Sequence, residues 1–360
     1  MTVSRRGFIR VAGGGGVVLA AGAIGLSQCD RMPAGAVAAW APGGAADPDP
    51  RRRALAQAIL APNPHNIQPW LVDLSEAGVI TLLVDRDRLL PMTDPQNRQV
   101  MIGHGAFLEL LDLAARADGF RLETILFPDG AFGPDSVDDR PVARIRFIAD
   151  PVVARDPLVA QIALRRSNKE PYDLDRPLAP ADAAALRGVD LPDGVALHLA
   201  LAADRAAALR RIAGRAVEVE METPRTHRES IDLLRIGAAE IDAHRDGIDL
   251  HGPLFWWMKR LGLMTPEKLT TPGTMAWQGG VDYAMGWVAG TNAFGWLGTG
   301  DNSRASQVAA GRAYARLNLA ATGLGVAMHP VSQVLQEYPE MADLQREFMD
   351  LVGAGAWGEG

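Results

Sequence analysis

Apolar positions recur at helical spacing in several stretches of the chain. From Arg304 to Thr322, Val308, Tyr314, Leu317 and Ala321 share one face, and Gly323-Leu324-Gly325 ends the run. Gly105 to Asp118 carries a fainter version of the same helix, with Leu108, Leu111 and Ala115 aligned. Asp49 and Asp156 each precede a proline, the arrangement of an N-cap followed by proline in the first helical position. The pattern therefore predicts a short helix after Pro50, striped by Leu55, Ala58 and Ile59. It predicts another after Pro157, whose last turn runs into Leu164-Arg165-Arg166-Ser167-Asn168-Lys169. Further helices are expected at Pro180 to Leu186, Asp204 to Met221 and Arg228 to His244, the last burying Ile231, Leu234 and Ala238. Runs of β type lie at Val79 to Val84, Leu122 to Phe127, Ala143 to Ile148, Val195 to Leu199 and Val326 to Met328. The mixture is α+β in character.

With 360 residues, nearly half of them apolar, the chain has room for one large domain or two modest ones. A net charge of −7 argues against a nucleic-acid partner. Ala34 to Pro50 is linker-like in composition. From His251 to Trp296 there are five tryptophans among many glycines, with a helix expected at Phe255 to Lys259 and irregular chain beyond it. Such a stretch is either core cladding or a lid over a flat ring system. Cys29 is the only cysteine, which removes intramolecular disulfides and cysteine-based metal clusters. The histidines show no His-Glu-x-x-His spacing and no Gly-x-Ser-x-Gly elbow occurs, so neither a metal site nor an acyl-enzyme is expected.

Ser4-Arg5-Arg6-Gly7-Phe8-Ile9-Arg10, followed by the uncharged run Val11 to Leu26, resembles a twin-arginine export signal. The resemblance implies the twin-arginine export machinery as a partner and a periplasmic or cell-envelope location. Gly13 to Gly16 falls inside this leader and is not read as a phosphate loop. Leu26-Ser27-Gln28-Cys29 resembles a lipoprotein processing box, although Gln28 stands where a small residue is usual. Two outcomes stay open: a lipid anchor at Cys29, or cleavage within Ala36-Val37-Ala38-Ala39 to give a soluble chain.

The most informative loop is Ala61-Pro62-Asn63-Pro64-His65-Asn66-Ile67-Gln68-Pro69-Trp70. Three prolines keep it out of helix and central strand, so Asn63, His65, Asn66 and Gln68 sit on a stiff backbone. Neutral amides offer donor and acceptor together, which suits the edge of a planar heterocycle. Turn formation alone would also explain the composition. The loop resembles the A-P-S-x-x-N-x-Q-P-W stretch of the nitroreductase family, with Asn63 in place of the usual serine. Arg165-Arg166-Ser167, with Lys169, resembles the same family's phosphate-binding signature. By residue type alone the cluster is either a set of planar donors for phosphate oxygens or a solvated basic helix end. Arg51 to Arg53 reads as a solvated face.

The resemblance implies a nitroreductase-like fold with a mixed or antiparallel sheet flanked by helices. Each motif occurs once, in an order like that of the single-chain branch of the family. Two related halves would then form a pseudo-dimer, spanning 49–150 and 151–360, after a leader at 1–38 and a linker at 39–48, with an aromatic-rich insertion at 251–300. One FMN per chain is implied, bound by Asn63, His65, Asn66, Gln68, Arg165, Arg166, Ser167 and Lys169, with Met328 and His329 as neighbours. His329 by itself reads as a ring neighbour or as an ordinary partly buried histidine, the second being the preferred reading. The implied activity is electron transfer through FMN to a small quinone- or nitro-type acceptor; a pseudo-dimeric monomer is favoured, and the oligomeric state stays open. A flavin-sequestering protein of the same fold is the alternative.

Overall fold

The computed structural model describes residues 30–41 and 47–354. The twin-arginine motif, the apolar run after it and Cys29 lie outside the described residues. Helix α1 (Pro50–Ala58) starts as its sequence requires, with Asp49 accepting from the Arg51 N–H and Pro50 in the first turn. The chain then forms β1 (Trp70–Asp73), β2 (Val79–Val84), α2 (Arg98–Ala117), β3 (Phe120–Leu126) and β4 (Ala143–Ala149). The four strands make an antiparallel sheet in the order β1-β2-β4-β3. Ile80, Leu82 and Ile145 from the sheet and Phe107, Leu110 and Leu111 from α2 form one fully buried core.

The second half contains α3 (Pro180–Arg187), β5 (Val195–Ala200), α4 (Ala203–Glu222), α5 (Pro224–Asp232), β6 (Leu234–Ile236), α6 (Ala238–Ala243) and β7 (Ile248–Leu250). It continues through α7 (Pro253–Arg260), α8 (Pro266–Thr270), α9 (Met275–Ala289), β8 (Phe294–Thr299), α10 (Arg304–Gly323) and α11 (Ala342–Val352). Strands β5 and β8 pair antiparallel, and β6 and β7 pair parallel. The architecture is thus mixed α and β, with an antiparallel sheet flanked by helices.

Helix α10 packs into the same core, where it crosses α2. A Cβ on Gly105 would lie 2.0 Å from the Val308 carbonyl oxygen, and one on Gly311 would lie 1.9 Å from that of Ile102. Only glycine allows backbones this close. Beside the crossing, buried Glu109 of α2 accepts from Arg312 and Arg316 of α10, and Arg316 also reaches Asp156. Both helices are 20 residues long and bury much of their length.

Several expectations change. Helix α2 begins at Arg98 rather than Gly105, because Asp94 accepts from the N–H groups of Gln99 and Val100 and so caps an earlier turn. Asp156 does cap a helix, but only the 3-10 turn Pro157–Gln161 follows. The chain is drawn away there, since Ser167 bridges Met328 and the Asn168 N–H donates to the Met328 carbonyl. The helix expected over 228–244 is cut in two by β6, whose pairing with β7 overrides the local period, and Gly237 at φ 89° makes the bend. Beyond α7, α8, α9 and β8 replace the irregular chain expected there.

Candidate functional site

Arg165 is 5% exposed. Its Nη2 donates to the Leu60 carbonyl at 2.9 Å, its Nη1 to Asn318 Oδ1 at 3.4 Å, and its Nε has no partner among the described residues. Among the described residues no carboxylate lies within ion-pair distance of it. Burial pulls its pKa below the usual arginine value, and the neighbouring Arg166 adds to this against the opposing pull of Tyr314. Tyr314 Oη, from α10, is buried beside it without a hydrogen-bond partner among the described residues, and burial pushes that phenol up to about 12. A guanidinium out of water with spare donor capacity is costly unless an anion completes it. Arg166 is exposed; its guanidinium carbon lies 3.8 Å from the centre of the Trp40 ring, which also faces Arg165 at 5.6 Å.

Ser167 and Lys169 are held beside Met328 and His329 by the bridge already described. The Lys169 carbonyl accepts from Tyr283 Oη at 3.0 Å, and the His329 ring lies 4.4 Å from that of Trp287. Burial first, and the charge of Lys169 second, hold His329 at about 4. The same two causes, in the same order, hold His65 at about 4. The charge of Lys169 thus disfavours protonation of both rings. Of the sequence candidates, Ser167, Lys169, Met328 and His329 lie together, His65 contacts Ser230, and Arg165 touches the residue just before the loop.

The loop is spent differently from expectation. Asn63 Oδ1 accepts from the Gln68 N–H at 2.8 Å and Asn63 Nδ2 donates to Ala61, so this amide shapes its own loop. Asn66 Nδ2 donates to the Gly247 carbonyl at 3.1 Å, and Gln68 Nε2 to the Arg245 carbonyl at 2.7 Å. Their amide nitrogens thus clamp the second half onto the first. His65, Asn66 and Gln68 all have positive φ, at 47°, 54° and 52°. Three non-glycine residues in that region store strain of roughly 1–3 kcal/mol each, a feature that clusters at functional loops. Ser230 Oγ donates to Glu220 Oε1 at 3.0 Å and lies 3.0 Å from His65 Nε2. Nε2 is then the donor to Ser230, which leaves Nδ1 as the acceptor nitrogen.

These histidines give a pH signature. Both are neutral when folded and would protonate near 6.5 when unfolded. Their contribution to stability is complete above pH 6.5 and is lost as pH falls from there towards about 4. His329→Gln is expected to flatten the fall in melting temperature across that window relative to the unaltered chain. Parallel curves would show that His329 does not change its protonation on unfolding.

No protein-family model matches the chain. Two relatives from Mycobacterium tuberculosis do match part of it. One, named "Uncharacterized protein Rv3127", is 34% identical over 127 residues, which is 34% of this chain and 35% of the relative. The other, named "Putative NAD(P)H nitroreductase acg", is 34% identical over 123 residues, with the same shares. The chain is similar, in part, to a protein named as a nitroreductase. The match spans about a third of each relative's length.

A nitroreductase-like flavin site needs an anion-binding end, and the unpaired donors at Arg165 and Tyr314 fit a phosphate there. A cleft of 650 Å³ lined by Asp85, Asp87, Asp135 and Asp139 includes none of the candidate residues and has the wrong charge for one. Among the described residues no group of three or more His, Cys, Asp or Glu side chains is placed to hold a metal ion. Sequence reasoning missed Trp40 and Tyr314 as members of the site. A lone tryptophan in a Gly/Ala/Pro linker was the available signal for the first, and a phenol on an otherwise apolar helix face for the second.

Proposed function

We propose that the chain binds FMN between its two halves and works as an exported oxidoreductase, passing electrons to a small quinone- or nitro-type acceptor. The observation that carries this reading is Arg165, a buried guanidinium with no carboxylate partner among the described residues. It is supported by the partial similarity to a protein named as an NAD(P)H nitroreductase. In this reading Arg165, Arg166 and Ser167 hold the phosphate through charge-assisted hydrogen bonds, with Tyr314 as a further donor. Lys169, His65, Met328 and His329 lie towards the ring end, where a positive charge favours electron-rich states. When bound, FMN supplies the redox chemistry, taking electrons from a donor and yielding them to an acceptor. No side chain is required as acid or base for that exchange, which suits two histidines held neutral at working pH.

Anaerobic titration of the purified chain tests the proposal. A flavin spectrum is expected at about one flavin per chain, bleached by NADPH or NADH and restored by a quinone. An exported protein does not meet cytoplasmic nicotinamides, so a non-physiological reductant serves as the second arm. Bleaching by dithionite alone, with no quinone response, would mean that the chain stores flavin rather than turning it over. Absence of any flavin binding would overturn the reading.

A further inference from the structure

The acidic cleft of 650 Å³ lies beside β1 and β2 and shares no residue with the flavin reading. Leu71, Val84, Leu89 and Val137 give it apolar walls, and Asp85, Asp87, Asp135 and Asp139 stand against a single arginine, Arg86, in its lining. Arg86 is taken up by Asp139 at 2.8 Å, and Asp85 by Arg88 at 3.2 Å. Asp87 and Asp135 have no ion-pair partner among the described residues. The arginines nearest the second wall are engaged elsewhere. Arg140 pairs with Asp138, and Arg304 donates to the carbonyls of Gly133, Pro134 and Ser136, which braces the loop that carries Asp135.

Asn97, at the start of α2, supplies the second observation. It is 7% exposed and lines the cleft, and its amide makes no hydrogen bond among the described residues. Its backbone groups are both used, the N–H by the Asp94 carbonyl and the carbonyl by the Met101 N–H. A carboxamide held out of water without a partner is costly unless something in the cleft completes it. Beside unpaired carboxylates, that something is a cation with N–H groups, since the amide oxygen accepts from it while the carboxylates balance its charge.

The walls narrow the choice further. Among the described residues no group of three or more His, Cys, Asp or Glu side chains is placed to hold a metal ion, so the carboxylates are too dispersed to share one compact charge. A ligand that satisfies them carries its charges apart, joined by hydrocarbon that lies on the apolar walls. We propose that the cleft binds a linear polyamine, with ammonium groups at Asp87 and Asp135, a further N–H donated to Asn97 Oδ1, and methylenes against Leu71, Leu89 and Val137. A cleft of this volume is of the size that takes a small organic ligand. The inference stands on Asn97 and the cleft and is independent of the flavin reading.

Calorimetric titration of the full chain with spermidine tests it, at low ionic strength because exposed carboxylates are screened by salt. Saturable binding of about one spermidine per chain is expected. The double variant Asp87→Asn/Asp135→Asn is expected to bind about tenfold more weakly or worse. Asn97→Gly removes the amide while keeping the left-handed backbone, φ 58°, and is expected to bind several-fold more weakly. Asp193→Asn/Asp350→Asn, which changes the net charge equally at exposed positions outside the cleft, is expected to bind like the unaltered chain. Melting temperatures without ligand check that each variant is folded. Absence of saturable binding, unchanged affinity in either cleft variant, or an equal loss in Asp193→Asn/Asp350→Asn would overturn the proposal. Magnesium binding more tightly than spermidine at equal ionic strength would overturn it too, since the cleft would then be a metal site.

Discussion

Arg165→Met is expected to purify without flavin and yet, compared with the unaltered chain stripped of flavin, to melt no lower. Deleting a charge-assisted donor pair to phosphate costs on the order of 3 kcal/mol, or roughly a hundredfold in affinity. The folded state without ligand behaves differently. Arg165 is buried with no carboxylate among the described residues, so its removal relieves a desolvation penalty of several kcal/mol. Against that stands the loss of its hydrogen bond to the Leu60 carbonyl, about 1–3 kcal/mol. Absorbance of the purified variant and its melting temperature read the two effects separately. A variant that keeps its flavin but melts well below the unaltered chain would make Arg165 a strut between the halves instead of a ligand. Arg166→Ala should weaken flavin binding less, because Arg166 is exposed and half engaged by Trp40.

Gly311→Ala is expected to be the most destabilising single methyl that can be added to the molecule's centre. The new Cβ would meet the Ile102 carbonyl oxygen at 1.9 Å, and backbone cannot rotate away as a side chain can. Helices α2 and α10 would have to separate along the buried seam, at a cost of about 3 kcal/mol or more. Gly286→Ala is the control. It lies within α9 with nothing within 4 Å of its Cβ, and should gain up to about 1 kcal/mol from helix propensity. Urea unfolding of the two variants side by side measures both. If Gly311→Ala unfolds like the unaltered chain, the helices do not cross at these glycines.

The elements that could be read from sequence are those whose stability is local. Asp49 and Asp156 cap the turns they precede, and β2, α1 and α10 fall where periodicity puts them. What sequence did not reveal depends on distant partners. Asp94 starts α2 early by capping from outside the apolar pattern, and β6 exists only because β7 lies beside it. The candidate site shows the same division. The basic cluster at 165–169 and the loop at 61–70 were visible as unusual local chemistry. That Arg165 lacks a counter-ion among the described residues, that Asn66 and Gln68 grip the backbone at 245–247, and that Trp40 folds back onto Arg166 are facts of three-dimensional neighbours. No spacing rule encodes them.

The account rests on an anion-binding end centred on Arg165, and comparison of FMN with riboflavin measures it most directly, because the two ligands differ by the phosphate alone. Titrated into the flavin-free chain and followed by flavin fluorescence, FMN is expected to bind about a hundredfold more tightly than riboflavin. Equal affinity for the two, or binding of neither, would contradict it.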